Sequence, residues 1–290
     1  MNLNLIWVHH MSTDNNDLKY TGKGQASRLS LQHEIAGGPL GIFGEEAKKH
    51  DLNIGDVSIL IYKALNQNYK NYKFRLRNSI SKIEINRNLK KFNPLLGETL
   101  FVKSASIKPD GGVLEVKDKK SEWRVILVGE SKHQGNDVEK IKAGIKQGKN
   151  KDQDFMAAGN AIERVHKNIL EFRNLMFNEL HFPYIVFFQG SNFATETFTI
   201  NAPNGRAVQL VHNSGLLNRI DRVTAANYSA PINSNYCRNQ FIETENVKQM
   251  LQIPSLYFQC NPWKTEEMYE YMLEIALDSI SILNEKKQLP

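Results

Sequence analysis

The chain predicts an α/β domain built on a central mixed sheet flanked by helices. Two observations carry that expectation. Short apolar strands alternate with amphipathic helices along the chain, and no Pro-, Gly- or Ser-rich linker or internal repeat interrupts them. The strand Trp123–Gly129 is apolar on both faces, as a central strand covered on two sides must be. With 290 residues, 41% hydrophobic and 23% charged, the chain can bury one sizeable core. No apolar run is long enough to span a bilayer, and the first ten residues lack the basic start and apolar core of a signal peptide. Collagen-like, mucin-like, coiled-coil and membrane classes are excluded. Two cysteines, Cys237 and Cys260, cannot make a disulfide scaffold and point to a reducing cytoplasm.

Residues 1–24 are expected to form a polar, flexible arm, with Met11 as an alternative start, and residues 25–290 a single domain. Regular patterning begins after Pro39. Residues 56–67 predict a helix capped near Gly55-Asp56. Residues 79–92 predict a second, with Ile80, Ile83, Ile85, Leu89 and Phe92 as its apolar set. Strands are expected at 99–102, 112–116 and 123–128, the last two joined through Asp118-Lys119-Lys120-Ser121 as an antiparallel hairpin. Helices at 137–147 and from Ala161 follow, then a buried strand at 184–188. A hairpin at 195–212 turns at Pro203-Asn204-Gly205. A helix at 215–227, a strand at 255–259 and a final helix at 266–285 complete the chain. Thr265 would cap that last helix, and Met268, Met272, Ile275 and Ile282 would form its stripe.

Charge is unevenly distributed. Residues 61–151 hold 21 basic and 9 acidic side chains, a balance of +12, whereas the other residues hold 16 and 22, a balance of −6. A basic third of this kind attracts phosphate backbones, although a solvated surface also accounts for it.

Chemistry concentrates at Pro109-Asp110 and Gly129-Glu130-Ser131-Lys132. Glu130 and Lys132, two apart on a strand, leave the same face, and hairpin pairing brings Asp110 beside them. Two carboxylates with an ammonium at a sheet edge suit metal-dependent phosphodiester hydrolysis. Asp110 and Glu130 would hold Mg²⁺ through hard oxygens, joined by the Ser131 carbonyl. Lys132 would orient or deprotonate the attacking water and stabilise the developing charge. The competing explanation is a common surface Glu-x-Lys pair beside an unrelated turn Asp. His133 fits a structural role better than that of a general base.

A second segment, Met156-Ala157-Ala158-Gly159-Asn160-Ala161-Ile162-Glu163-Arg164, is odd as plain helix. Gly159 and Asn160 are poor helix formers, and Asn160 with Glu163 has capping-box spacing, so extended chain should precede a helix starting at Ala161. Small residues permit close approach to a groove, and Asn160, Glu163 and Arg164 have the donor and acceptor sets that read base edges. A capped helix with an exposed Glu163–Lys167 pair is the plainer alternative. Arg219 and Arg222 are either solvated helical charges or phosphate contacts.

At these residues the chain resembles a known family. Pro109-Asp110, Gly129–Gly135, Asp152–Arg164, Phe182-Pro183-Tyr184, Gln189–Asn192, Asn213–Arg222, Thr224–Tyr228 and Pro231–Asn235 are similar to the EcoRI family of type II restriction endonucleases, over residues from about 25 to at least 260. The resemblance implies the PD-(D/E)xK, restriction-endonuclease-like fold with a five-stranded-type sheet. It also implies a homodimer, Mg²⁺-dependent cleavage of both strands of double-stranded DNA, and a bacterial, cytoplasmic setting. Asp110, Glu130 and Lys132 would be catalytic. Met156 to Ala161, Glu163 and Arg164 would read bases. Lys108, Lys149, Lys167, Asn168, Arg219 and Arg222 would contact the backbone or support the reading element. The implied site is GAATTC with 5′ overhangs, guarded by a cognate adenine methyltransferase that forms no stable complex with the nuclease. Another AATT-centred site, or a catalytically silent DNA-binding dimer, are the alternatives. Ser131 departs from the family's small apolar residue, Asn136 and Asn150 stand where it carries basic ones, and the tail after Cys260 matches poorly.

Overall fold

The computed structural model describes residues 45–98, 104–133, 159–190, 198–201, 205, 207–210 and 220–290. Contacts divide the chain into residues 1–49 and 50–290, and the fold below is that of the second unit. The expected arm, the strand at 99–102 and the helix at 137–147 lie outside the described residues.

Helix α1 (Glu45–Asn68) leads to strand β1 (Phe74–Arg77), the short β2 (Ile80–Ser81), helix α2 (Lys82–Lys90) and the short β3 (Ser106–Ile107). Strands β4 (Val113–Lys117) and β5 (Trp123–His133) follow, then helix α3 (Gly159–Leu175) and strand β6 (Tyr184–Gln189). The hairpin β7 (Phe198–Asn201) and β8 (Ala207–Leu210) precedes α4 (Ile220–Ala225), the hairpin β9 (Gln240–Glu243) and β10 (Lys248–Leu251), β11 (Ser255–Gln259) and α5 (Thr265–Glu285). The central sheet has five strands in the order β1-β4-β5-β6-β11. β4 pairs antiparallel with β1 and β5, whereas β6 pairs parallel with β5 and β11. The expected mixed α/β sheet is what forms.

Several local expectations are corrected. α1 runs through Gly55 and Asp56 instead of starting there, because the buried Ile54, Val57 and Ile61 pack it on the core and outweigh the local cost of glycine within a helix. The helix expected over 79–92 is shorter: Ile80-Ser81 pairs with β3, Ser81 accepts from the Glu84 amide as N-cap, and Ile83 and Phe92 are exposed. α3 begins at Gly159, so Asn160 lies inside the helix. α4 ends at Ala225, two residues before the expected end, and 215–219 of the expected helix lie outside the described residues. Lys264 takes the cap position of α5 and its N–H donates to Glu267, so Thr265 is the first helical residue. All four residues of the expected α5 stripe are buried. β1 and the β9–β10 hairpin were not anticipated.

Register decides which way the strands point. β4 alternates regularly, with Leu114 and Val116 on the side of α1 and α5 and Val113 on the side of α3. Glu115 pairs with Val125 but Leu114 pairs with Leu127, so β5 carries one extra residue. Ile126 and Leu127 therefore both join the α1–α5 core, and Val128 returns to the α3 side. Glu130 and Lys132, at two-residue steps from Val128, follow it there. α3 presents Ile162, Val165, Ile169 and Phe172 to the same side at helical spacing.

Candidate active site

Asp110 is placed by a tight turn. The Gly112 amide donates to the Pro109 carbonyl at 3.0 Å, and the Gly111 amide donates to the Gly129 carbonyl at 2.9 Å, which ties the turn to β5 next to Glu130. Gly112 has φ +73° and an ideal Cβ there would sit 2.7 Å from the Arg77 carbonyl, so only glycine fits without strain. Glu130 and Lys132 lie within β5, which continues past the expected end at 128 to His133.

The three sequence-singled side chains come together. Lys132 Nζ donates to Asp110 Oδ2 at 2.5 Å and to the Ser131 carbonyl at 2.8 Å, and lies 2.8 Å from Glu130 Oε1. The Ser131 amide donates to Asp110 Oδ2 at 3.3 Å. Two carboxylates and a carbonyl thus converge on one cationic point. Burial pushes the Glu130 carboxyl above its ordinary value; the Lys132 charge pulls it back and the Asp110 charge raises it again. For Lys132 burial pulls the ammonium down, but Glu130 and Asp110 outweigh it and hold the group protonated. As arranged here, Lys132 is a charge and a donor.

Oxygens gathered around one cation are also the donor set a hard divalent metal takes, so the residues fit Mg²⁺. Among the described residues no third His, Cys, Asp or Glu completes a larger cluster. That is consistent with an ion that keeps several waters and one or two carboxylates.

Glu130 has two further partners: Asn168, expected only to contact the DNA backbone or support the reading element, and Tyr184, which carried no catalytic signal in the sequence. The Asn168 amide donates to both carboxylate oxygens at 3.1 Å, and the Tyr184 hydroxyl donates to Oε2. Asn168 lies on α3 one turn beyond Arg164. Tyr184 could be found only from the β5–β6 register, which pairs it with Val128.

Of the remaining candidates, Lys108, Glu163, Arg164, Lys167 and Arg222 are exposed, and none is part of the Asp110–Glu130–Lys132 cluster. Gly159, Asn160 and Ala161 form the first turn of α3. Met156, Ala157, Ala158, Lys149 and Arg219 lie outside the described residues. His133 meets Gln189 Nε2 through its Nδ1 at 3.1 Å, in keeping with a structural role.

A mixed sheet with Asp, Glu and Lys gathered where a turn meets a central strand defines a restriction-endonuclease-like domain. The family model described as "Restriction endonuclease EcoRI" matches residues 36–289, so this chain belongs to the EcoRI restriction endonuclease family. The match continues through the tail after Cys260, which was expected to match poorly and which supplies α5. The chain is 58% identical over 267 residues to the type II restriction enzyme RsrI of Cereibacter sphaeroides, covering 92% of this chain and 96% of that one. It is 53% identical over 265 residues to the type II restriction enzyme EcoRI of Escherichia coli, covering 91% and 96%. Among the described residues no helix is long and apolar enough to cross a membrane.

Proposed function

We propose that this chain is a Mg²⁺-dependent type II restriction endonuclease that cuts both strands of GAATTC, leaving 5′ overhangs. The observation that carries the reading is the convergence of Asp110, Glu130 and the Ser131 carbonyl on the Lys132 ammonium, in a chain of this family. When bound there, Mg²⁺ would neutralise charge on the phosphorus transition state. Asp110 and Glu130 hold the ion. Lys132, released from part of its carboxylate contacts, orients the attacking water and places its positive charge against the phosphate. Attack is in line, and no covalent enzyme intermediate forms.

Site choice belongs to the segment Met156–Arg164. Its helical part opens α3 with Glu163 and Arg164 exposed, and a helix N-terminus favours a nearby phosphate. Lys108, Lys167 and Arg222 are exposed cations suited to backbone contact, with Lys149 and Arg219 in the same role. A palindrome is matched by a two-fold protein, so the working unit is a homodimer with one active site per strand. An arm of residues 1–24 ahead of one domain over 25–290, a bacterial cytoplasmic setting and a cognate adenine methyltransferase belong to the same reading.

Digestion of a fully sequenced plasmid by the purified protein with Mg²⁺, followed by end-sequencing, tests it. Cuts confined to GAATTC are expected. Cuts at other AATT-centred palindromes would keep the chemistry and overturn the outer base pair. Specific binding without any cleavage would overturn the enzyme reading in favour of a silent DNA-binding dimer.

A further inference from the structure

Glu130 is 1% exposed, and its carboxylate is held from three directions that are not equivalent. Lys132 reaches Oε1 on a flexible stem. Asn168 Nδ2 stands at 3.1 Å from both oxygens and so does not choose between them. The Tyr184 hydroxyl takes Oε2 alone. That leaves Oε1 turned toward the point where Asp110 Oδ2 and the Ser131 carbonyl meet.

Tyr184 can make this choice because it has no freedom of its own. Its backbone pairs opposite Val128, two residues before Glu130, so the two side chains are diagonal neighbours on one face. Its ring stacks on Phe182 at 5.9 Å and meets the edge of Phe172 at 5.3 Å, and the residue is 0% exposed. A phenol buried this way needs a hydrogen-bond partner, and a carboxylate oxygen is a strong acceptor. The last torsion of a glutamate is broad, so without a fixed donor the carboxylate would turn among several orientations.

We propose that Tyr184 is a positioning residue for the metal-binding carboxylate: its hydroxyl pins Oε2 of Glu130 so that Oε1 is presented to the cation, and it influences cleavage only through Glu130. This rests on Glu130 being a metal ligand. Partners behind a ligand typically contribute about 10–100-fold in metal affinity or activity.

Tyr184→Phe deletes one oxygen and keeps the ring stack, and its thermal midpoint serves as the folding control. Cleavage at limiting Mg²⁺ should fall about 10–100-fold, with the half-saturating Mg²⁺ concentration raised to match and KM for DNA unchanged. Calorimetric titration of Ca²⁺ into the protein–DNA complex should show the same weakening without relying on turnover. In the Glu130→Gln background, Ca²⁺ affinity should fall no further when Tyr184→Phe is added. Unchanged Ca²⁺ affinity in Tyr184→Phe, a slower rate with an unmoved Mg²⁺ midpoint, or an additive loss in the double variant would each overturn the proposal. Normal cleavage by Glu130→Gln would instead remove the reading of Glu130 itself. An inactive Glu130→Gln beside a fully normal Tyr184→Phe would sink only the role of Tyr184.

Discussion

The two faces of the central sheet are made from the same strands and could hardly differ more. Against α1 and α5 the buried set is Ile54, Val57, Ile61, Leu65, Met272, Ile275 and their neighbours. Of its buried hydroxyls, that of Ser279 donates to the Ile275 carbonyl at 2.9 Å, whereas that of Ser58 on α1 has no hydrogen-bond partner among the described residues. The face toward α3 buries Glu115 at 2% and Glu130 at 1% exposure among apolar neighbours. Desolvating a carboxylate is costly, so each must be compensated where it lies.

The compensation differs between the two carboxylates. Glu115 is closed in by two arginines of β1, with Arg75 Nε and Arg77 Nε both 2.7 Å from Oε2, and Arg77 is itself held by Glu84 at 2.9 Å. Those guanidinium forks have rigid geometry and fixed partners. Glu130 has a single ammonium on a flexible stem, shared with Asp110, plus two neutral donors. One arrangement is a structural clamp. The other holds its cation on a flexible stem, and the proposed metal site rests on that difference.

If one face holds the fold and the other does the chemistry, substitutions should separate the two. The largest effect is expected for Glu130→Gln, which should lower cleavage about a thousandfold or more, the several kcal/mol that metal charge stabilisation supplies, while gel-shift binding to the specific site persists. On the opposite face, Ile275→Ala should cost about 2–5 kcal/mol in denaturant unfolding, yet leave kcat of the folded enzyme unchanged. A matching fall in kcat would break the division between the faces. Gly112→Ala should sit between them: forcing a Cβ at φ +73° against the Arg77 carbonyl costs about 1–3 kcal/mol, and it should slow cleavage as well because the same turn carries Asp110.

The smallest effect concerns pH. Burial pulls the His181 imidazole below its ordinary 6.5, and Glu179 only partly offsets this. Its Nε2–H donates to the Val125 carbonyl at 2.8 Å, while Nδ1 has no hydrogen-bond partner among the described residues. The unfolded chain therefore takes up the proton first, and stability is lost as pH falls below about 6.5 toward the lower folded value. His181→Gln keeps a donor but does not titrate, so urea midpoints measured from pH 7 downward should fall less steeply than in the wild type.

Periodicity carried much of this architecture. Short apolar runs located β4, β5, β6 and β11, and the α5 stripe lies where the 3.6-residue period puts it. β1 had a legible signal in Phe74-Arg75-Leu76-Arg77, an alternation bounded by Asn78-Ser79, but four residues between two helical patterns are easily passed over. The β9–β10 hairpin had almost none, since all four residues of β9 are exposed. Gly55 looked like a helix start because glycine breaks helices, yet it lies within α1, where a Cβ would stand 3.7 Å from the Asp110 carbonyl.

By itself the sequence determined that Glu130 and Lys132 share a face, because residues two apart on a strand always do, and that Asp110 lies near them, because a hairpin folds it back. Which face they share was decided by tertiary structure. Counting along β5 from Val125 would send Glu130 and Lys132 toward α1 and α5; the extra residue at Ile126 reverses that and aims them at α3. The same holds for Tyr184, 54 residues away in the chain and brought to Glu130 only by parallel pairing. A local period fixes relative directions within one strand, whereas a bulge and a register are settled between strands, by packing that no single segment encodes.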